Sequence, residues 1–267
     1  MELTSKFWIF KKKLSSSENE VILLKNPDIV VNSEKIYSDV RKFEERLFSD
    51  DVTKNLPKLN RNSPYYQEWK IRNILLDNLM VQIKIAGNSK IILDVGCGTG
   101  WLGNLISNKL GNYVIGIDTN YNELLQGRRI FSENKKIDFV YGNILKEKIK
   151  SKSVDIIIFN ASIQHFNNFH FIIDKLIESL KNNGEIYILD SIFYLNKNLK
   201  SAKNNTLKYY SKLGFPEMIE HYFHHSLEDL KKFRYKIIYN PNIIYRKVLR
   251  KFLPFIFSPF YFVKIFN

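Results

Sequence analysis

The stretch that decides the fold is Ile91-Ile92-Leu93-Asp94-Val95-Gly96-Cys97-Gly98-Thr99-Gly100, followed by Trp101. A short apolar run that ends at glycines reads as a buried strand. Beyond it, Trp101, Leu102, Leu105, Ile106 and Leu110 recur at helical spacing, and Gly111 stops them. Three glycines at alternate positions between strand and helix let the chain turn sharply. They also let a ligand approach the main chain without meeting a Cβ. The helix start beyond them adds oriented N–H groups.

Outward from this loop the pattern alternates. Val114–Ile117 reads as a second strand, with a helix after it through Leu124, Leu125 and Ile130. Ile137–Tyr141 and Val154–Phe159 are the third and fourth strands. A helix over Phe171–Leu180 follows, closed by Asn183-Gly184, and Ile186–Leu189 is the fifth strand. Strict alternation of strand and helix predicts an α/β protein with a doubly wound, mostly parallel sheet. Such sheets bind ligands beyond the carboxyl ends of their strands. Upstream, Val21–Leu24 and Ile29–Val31 are candidate strands. Residues 36–85 look helical, with Ser63 as N-cap and Pro64 at the first helical position of a helix running through Trp69, Leu75, Leu79 and Ile83. Downstream, Ser226-Leu227-Glu228-Asp229 resembles a capping box, Arg234–Tyr239 a strand, Ile243–Phe252 a helix and Phe260–Phe266 a closing strand. The expected organisation is an N-terminal extension with a helical lid (1–85), a ligand-binding core (86–190), and C-terminal helices and closing strands of the same sheet (191–267).

Bulk properties narrow the class. With 45% hydrophobic and 25% charged residues the chain has an ordinary globular composition. The net charge of +14 raises the possibility of a polyanionic partner, but the charge is spread along the chain and forms no basic stripe of a known nucleic-acid motif. A lone cysteine, Cys97, excludes an internal disulfide. Met1–Leu14 is too polar for a secretory signal, and no apolar run reaches the roughly 20 residues of a membrane span. A cytoplasmic protein is expected. His221, His224 and His225 cluster without carboxylate or cysteine partners at ligand spacing, so no metal site is expected.

Gly98-Thr99-Gly100-Trp101-Leu102-Gly103 satisfies the dinucleotide pattern G-x-G-x-x-G. Two features oppose that reading: Asp94 would repel a pyrophosphate, and the turn begins two residues early, at Gly96. Residues 92–100 instead resemble the first motif of class I S-adenosylmethionine (SAM)-dependent methyltransferases, and later motifs match in order across residues 88–190. The likeness is to the small-molecule branch similar to enzymes of ubiquinone and menaquinone biosynthesis. The resemblance implies a Rossmann-like, seven-stranded sheet with an antiparallel last strand, SAM as cofactor and S-adenosylhomocysteine as product. Gly96, Cys97, Gly98 and Gly100 would wrap the methionine portion, and Asp94 would lie near its ammonium and sulfonium. Asp118, about 20 residues on, would take the ribose hydroxyls with Thr119 beside it, its alternative being a helix N-cap. Asn143 stands where the family usually has Asp, and with the amide of Ile144 it would meet the adenine. Asn160 follows the fourth strand. The segment Asn160-Ala161-Ser162-Ile163-Gln164-His165 resembles the pocket floor of small-molecule enzymes; it lacks the Asn-Pro-Pro-Tyr of base-modifying ones, so DNA is not an expected partner.

Methyl transfer from a sulfonium chiefly needs alignment and exclusion of water, and a base only for a protonated acceptor. His165 and Asp190 are the candidate catalytic residues, each with a structural role as its alternative. Tyr65, Trp69 and Arg72 share a helix face and would form a lid, with Arg72 on the SAM carboxylate. The stretch from Tyr37 to Arg72 also resembles the segment before the core in bacterial methyltransferases of unassigned substrate. Tyr245–Phe266 mixes basic and aromatic residues and fits either an anionic membrane surface or the closing helix and strand. The expected function is O- or C-methylation of a small or lipid-linked acceptor. An RNA methyltransferase, a non-catalytic SAM-binding module and a nicotinamide-dependent oxidoreductase stay open as alternatives.

Overall fold

The computed structural model describes residues 8–11, 15–16, 21–28, 32–253 and 255–267. Its strands are β1 (Ser15–Ser16), β2 (Ile22–Leu23), β3 (Ile91–Val95), β4 (Tyr113–Asp118), β5 (Ile137–Tyr141), β6 (Val154–Asn160), β7 (Leu180–Ser191), β8 (Phe193–Tyr194), β9 (His225–Ser226), β10 (Tyr235–Tyr239) and β11 (Tyr261–Phe266). The helices are α1 (Asn32–Phe43), α2 (Asp50–Asn55), α3 (Tyr66–Ala86), α4 (Trp101–Leu110), α5 (Tyr121–Ile130), α6 (Phe169–Ile177), α7 (Leu199–Leu213) and α8 (Ile244–Phe252).

Eight strands of the main sheet lie in the order β2-β5-β4-β3-β6-β7-β11-β10, and the two-residue β1 adds a ninth beside β2. From β2 through β7 the pairings are parallel. β11 runs antiparallel to both β7 and β10, as the expected closing hairpin requires. The sheet exceeds the seven strands expected, because the N-terminal extension contributes β2 at the free edge of β5. Pairing there satisfies N–H and C=O groups that an edge strand would leave open.

Alternation along β3 sorts the two faces. Ile92 joins a core with Leu75, Leu79 and Ile83 of α3 and Ile106 of α4. Leu93 and Val95 join the opposite core, with Ile172, Ile173 and Leu176 of α6. The result is three layers, with helices on both faces.

Several local expectations are corrected. α3 starts at Tyr66 with Tyr65 as N-cap, not at Ser63-Pro64; Ser63 Oγ instead accepts from Tyr65 N–H at 3.3 Å in the preceding turn. The helical region divides into α1, α2 and α3. Asn183-Gly184 lies within β7, where Asn183 adopts φ +63°, and α6 has already ended at Ile177. The capping box forms, with Ser226 N–H donating to Asp229 Oδ2 at 2.7 Å and Asp229 N–H to Ser226 Oγ at 3.3 Å, yet it opens only a 3-10 turn, Asp229–Lys232. The candidate strand Ile29–Val31 lies outside the described residues.

Candidate active site

The carboxyl ends of β3, β4, β5 and β6 open on two adjoining cavities of about 350 and 280 Å³, which share Tyr37, Gly96, Asp118 and His165 as wall. Gly96, Gly98 and Gly100 all take positive φ, at +74°, +54° and +69°. A Cβ on Gly96 would sit 2.6 Å from Ser162 Cβ, and one on Gly100 2.4 Å from a ring carbon of Phe139. Both positions therefore demand glycine for conformation and for space.

Asp118 fastens this loop from the next strand. Its Oδ2 accepts from Gly98 N–H and its Oδ1 from Asn120 N–H, each at 2.8 Å. The N-cap of α5 is Asn120, whose side chain accepts from Glu123 N–H, so Asp118 is not spent on capping. The carboxylate stands at the wall of both cavities.

On the larger cavity, Asp94 is almost wholly buried and its Oδ1 has no partner among the described residues. Burial, with Asp118 adding repulsion, pushes its carboxyl up to about 7. Asn160 Oδ1, at the end of the neighbouring β6, and Asp190 Oδ1, near the end of β7, are also buried without partners. Burial likewise raises Asp190, to about 6, against the pull of Arg72. Ala161 and Asp190 hold left-handed backbone, φ +54° and +53°, unusual for residues with a Cβ; Ala161 lines both cavities, whereas Asp190 lines neither and meets the larger one only through Arg72. Arg72 is held between Glu68 (Nε to Oε1, 3.0 Å) and Asp190 (Nη1 to Oδ2, 3.6 Å), and it lines the cavity with Trp69, whose ring meets Trp101 edge-on at 5.1 Å. Tyr65 separates from that pair: its ring packs on Phe48 and its hydroxyl donates to the Glu44 carbonyl.

The smaller cavity is lined by Thr119, Asn143 and Ile144. Asn143 Oδ1 accepts from Leu145 N–H at 2.9 Å, which fixes the loop and leaves the amide N–H₂ unpaired. His165 borders both cavities from the 3-10 turn Ile163–His165. Its Nδ1 lies 3.1 Å from the His221 carbonyl, an acceptor, so Nδ1 carries the proton and Nε2 is the free base. Burial lowers its pKa, favouring the neutral ring at pH 7. His224 meets Thr206 Oγ1 at 2.8 Å and His225 the Ile163 carbonyl at 3.1 Å, so these two rings turn to different partners.

Three groups in the cleft escaped the sequence reading as site residues. Tyr37 and Arg41 stand one turn apart on α1 and both line the larger cavity. Glu123 faces Arg41 at 3.6 Å, and burial raises its carboxyl to about 7. The signal for Glu123 was ambiguous: Asn120-Tyr121-Asn122-Glu123 also spells a capping box, and half of that box forms.

A sheet of this topology with a glycine turn, a strand-end acid and a cleft at the parallel carboxyl ends defines a Rossmann-like nucleoside-binding protein of the class I methyltransferase type. A description of the methyltransferase domain matches residues 87–240, more than half of the chain, and the chain belongs to this family of SAM-dependent methyltransferases. It is 30% identical over 128 residues to a malonyl-[acyl-carrier protein] O-methyltransferase of Acetivibrio thermocellus, covering 47% of this chain and 44% of that protein. It is 32% identical over 133 residues to a ubiquinone biosynthesis O-methyltransferase of Pelagibacter ubique, covering 47% and 52%. The chain thus spans about half the length of these curated relatives. The fold matches geranyl diphosphate C-methyltransferase from Streptomyces coelicolor A3(2), solved with Mg²⁺, geranyl diphosphate and S-adenosyl-L-homocysteine, with a TM-score of 0.56 over 89% of this chain and 98% of that one, at 13% identity.

Proposed function

We propose that the cleft binds SAM and that the chain transfers its methyl group to oxygen or carbon of a small or lipid-linked acceptor. The observation that carries this reading is the row of buried acceptor oxygens without partners among the described residues, Asp94 Oδ1, Asn160 Oδ1 and Asp190 Oδ1, on the successive strands β3, β6 and β7. Buried polar atoms of this kind cost free energy until something donates to them. A ligand bearing an ammonium and a sulfonium meets that need, whereas a pyrophosphate would add repulsion to Asp94.

The residues fit the group in sequence along the cleft. Asp118 receives the two ribose hydroxyls, while Asn143 and the Ile144 amide border the adenine. Gly96, Cys97, Gly98 and Gly100 pass close to the methionine portion, Asp94 and Asn160 accept from its ammonium, and Arg72 holds its carboxylate. Bound SAM would supply a methyl on a positively charged sulfur, with the neutral thioether of S-adenosylhomocysteine as the leaving group. His165 Nε2 takes the proton of a hydroxyl acceptor, its ring held by the Nδ1–H bond to the His221 carbonyl. The relatives that methylate oxygen favour an oxygen acceptor here too. A carboxylate acceptor is already ionised at neutral pH and would leave His165 a positioning role.

Isothermal titration calorimetry tests the cofactor assignment. The chain should bind SAM at micromolar concentration, and Asp118→Ala should weaken binding about tenfold or more, the loss expected for a hydrogen bond to a charged group. Absence of heat with the unaltered protein would sink the assignment.

A further inference from the structure

The C-terminal helix α8 is folded inside out. A surface helix of a water-facing protein turns its apolar stripe inward, yet no residue of Ile244–Phe252 is buried. Ile244, Tyr245, Val248, Leu249 and Phe252 fall on one face and all are exposed, Ile244 and Phe252 by 81% and 76%, with the Tyr245 ring also resting on Phe257. Leu253, Phe255 and Ile256 extend the exposed apolar surface. The face turned toward the protein is the arginine face. Arg246 donates to the Asn240 carbonyl at 2.8 Å with its guanidinium 4.0 Å over the Tyr239 ring. Arg250 donates to the Ser258 and Pro241 carbonyls at 3.1 and 2.8 Å. These bonds fix the roll of the helix and hold its apolar side out.

Charge and topology say what covers it. After Asp229 the chain has nine Lys or Arg and no Asp or Glu; Lys231, Lys232 and Lys264 pair with Glu228, Asp174 and Glu185, and of the other six, four lie on α8. Lys247 and Lys251 are exposed at the border of the apolar face. β11 is antiparallel to β7 and to β10, so β10 runs the same way as β7. Tyr239 at the end of β10 and Tyr261 at the start of β11 therefore lie on the sheet edge that holds the cleft, with Tyr261 paired to Ser191, next to Asp190. The segment bearing α8 leaves and rejoins the sheet on the side where the cleft opens.

We propose that α8 is a docking surface for an anionic lipid bilayer: its apolar face sinks into the headgroup boundary and the flanking lysines meet acidic headgroups. The cleft edge of the sheet then faces the membrane, where an amphiphilic acceptor would be met. The docking rests on α8 alone and stands or falls independently of the cofactor assignment.

Vesicle co-sedimentation of the full chain tests it, using phosphatidylcholine vesicles with and without about one third phosphatidylglycerol. The chain should sediment with the acidic vesicles, less so as salt is raised, and remain in solution with neutral ones. Ile244→Glu/Phe252→Glu should weaken association about tenfold or more, and Lys247→Glu/Lys251→Glu should act the same way. Because these side chains are exposed, circular dichroism and the melting temperature should stay unchanged, which separates lost docking from lost folding. No association with acidic vesicles, or association unaltered by Ile244→Glu/Phe252→Glu, would overturn the proposal. So would a dimer in sedimentation velocity without lipid that the same pair of substitutions converts to monomer, since a second copy would then be the occupant.

Discussion

Asp94, the proposed partner of the cofactor's ammonium, also ties stability to pH. Its carboxyl titrates near 7 in the folded chain against 3.8 for the free side chain, so between those values the folded state holds a proton that the unfolded state has released. Stability of the ligand-free protein therefore loses this contribution as pH rises from about 4 to about 7. Asp94→Asn should remove the loss, making the variant relatively more stable at pH 8 than at pH 5 in chemical denaturation. The same variant should bind SAM more weakly, because a neutral amide replaces the anion beside a cationic ligand; undiminished affinity would place the ammonium elsewhere. His165 divides the acceptor classes. With a hydroxyl acceptor, His165→Ala should lower kcat about a hundredfold while SAM affinity changes little. An unchanged kcat would assign the proton to another group or the acceptor to the carboxylates.

At the level of elements, the glycine turn is where conformation and packing add up. Gly100→Ala forces left-handed backbone on alanine and drives its Cβ into Phe139, whereas Gly214, with φ +86°, has nothing within 4 Å of such a Cβ. Gly214→Ala should cost about 1 kcal/mol, the backbone term alone. Gly100→Ala should cost more, about 2–4 kcal/mol, as overpacking is added. Urea unfolding of the two variants checks the order; equal losses would show that Phe139 yields without cost. The strand and helix pattern from Ile91 to Leu189 was legible because buried parallel strands are short apolar runs and Gly111 gives the first helix a clear stop. Boundaries failed where local signals had two outcomes. Asn183-Gly184 reads as a helix stop but makes an irregularity inside β7, and Ser226–Asp229 forms its box without extending into an α-helix.

For the whole molecule, a ligand that binds only the folded state stabilises by mass action. SAM at about a hundred times its dissociation constant should add about 2.7 kcal/mol, a rise of roughly 5–10 °C in melting temperature for a domain of this size. NAD at equal concentration should leave the transition in place; a shift with NAD and none with SAM would reverse the choice between sulfonium and diphosphate. Among the described residues no helix is long and apolar enough to cross a membrane.

What the sequence determined by itself is whatever depends on neighbours along the chain: the glycine turn, the alternation that sorts Ile92 and Leu93 to opposite faces, and the acid ending the second strand. What only the tertiary structure decided depends on elements distant in sequence. Arg41 of α1 reaches Glu123 of α5, Glu68 and Asp190 share Arg72, and the extension supplies an extra strand beside β5. The roll of α8 belongs to the same group. Its periodicity marks an apolar face and an arginine face, but which one turns inward is fixed by the carbonyls of Asn240, Pro241 and Ser258. Pairing charges with carbonyls is a property of three-dimensional neighbourhood, and no local pattern encodes it.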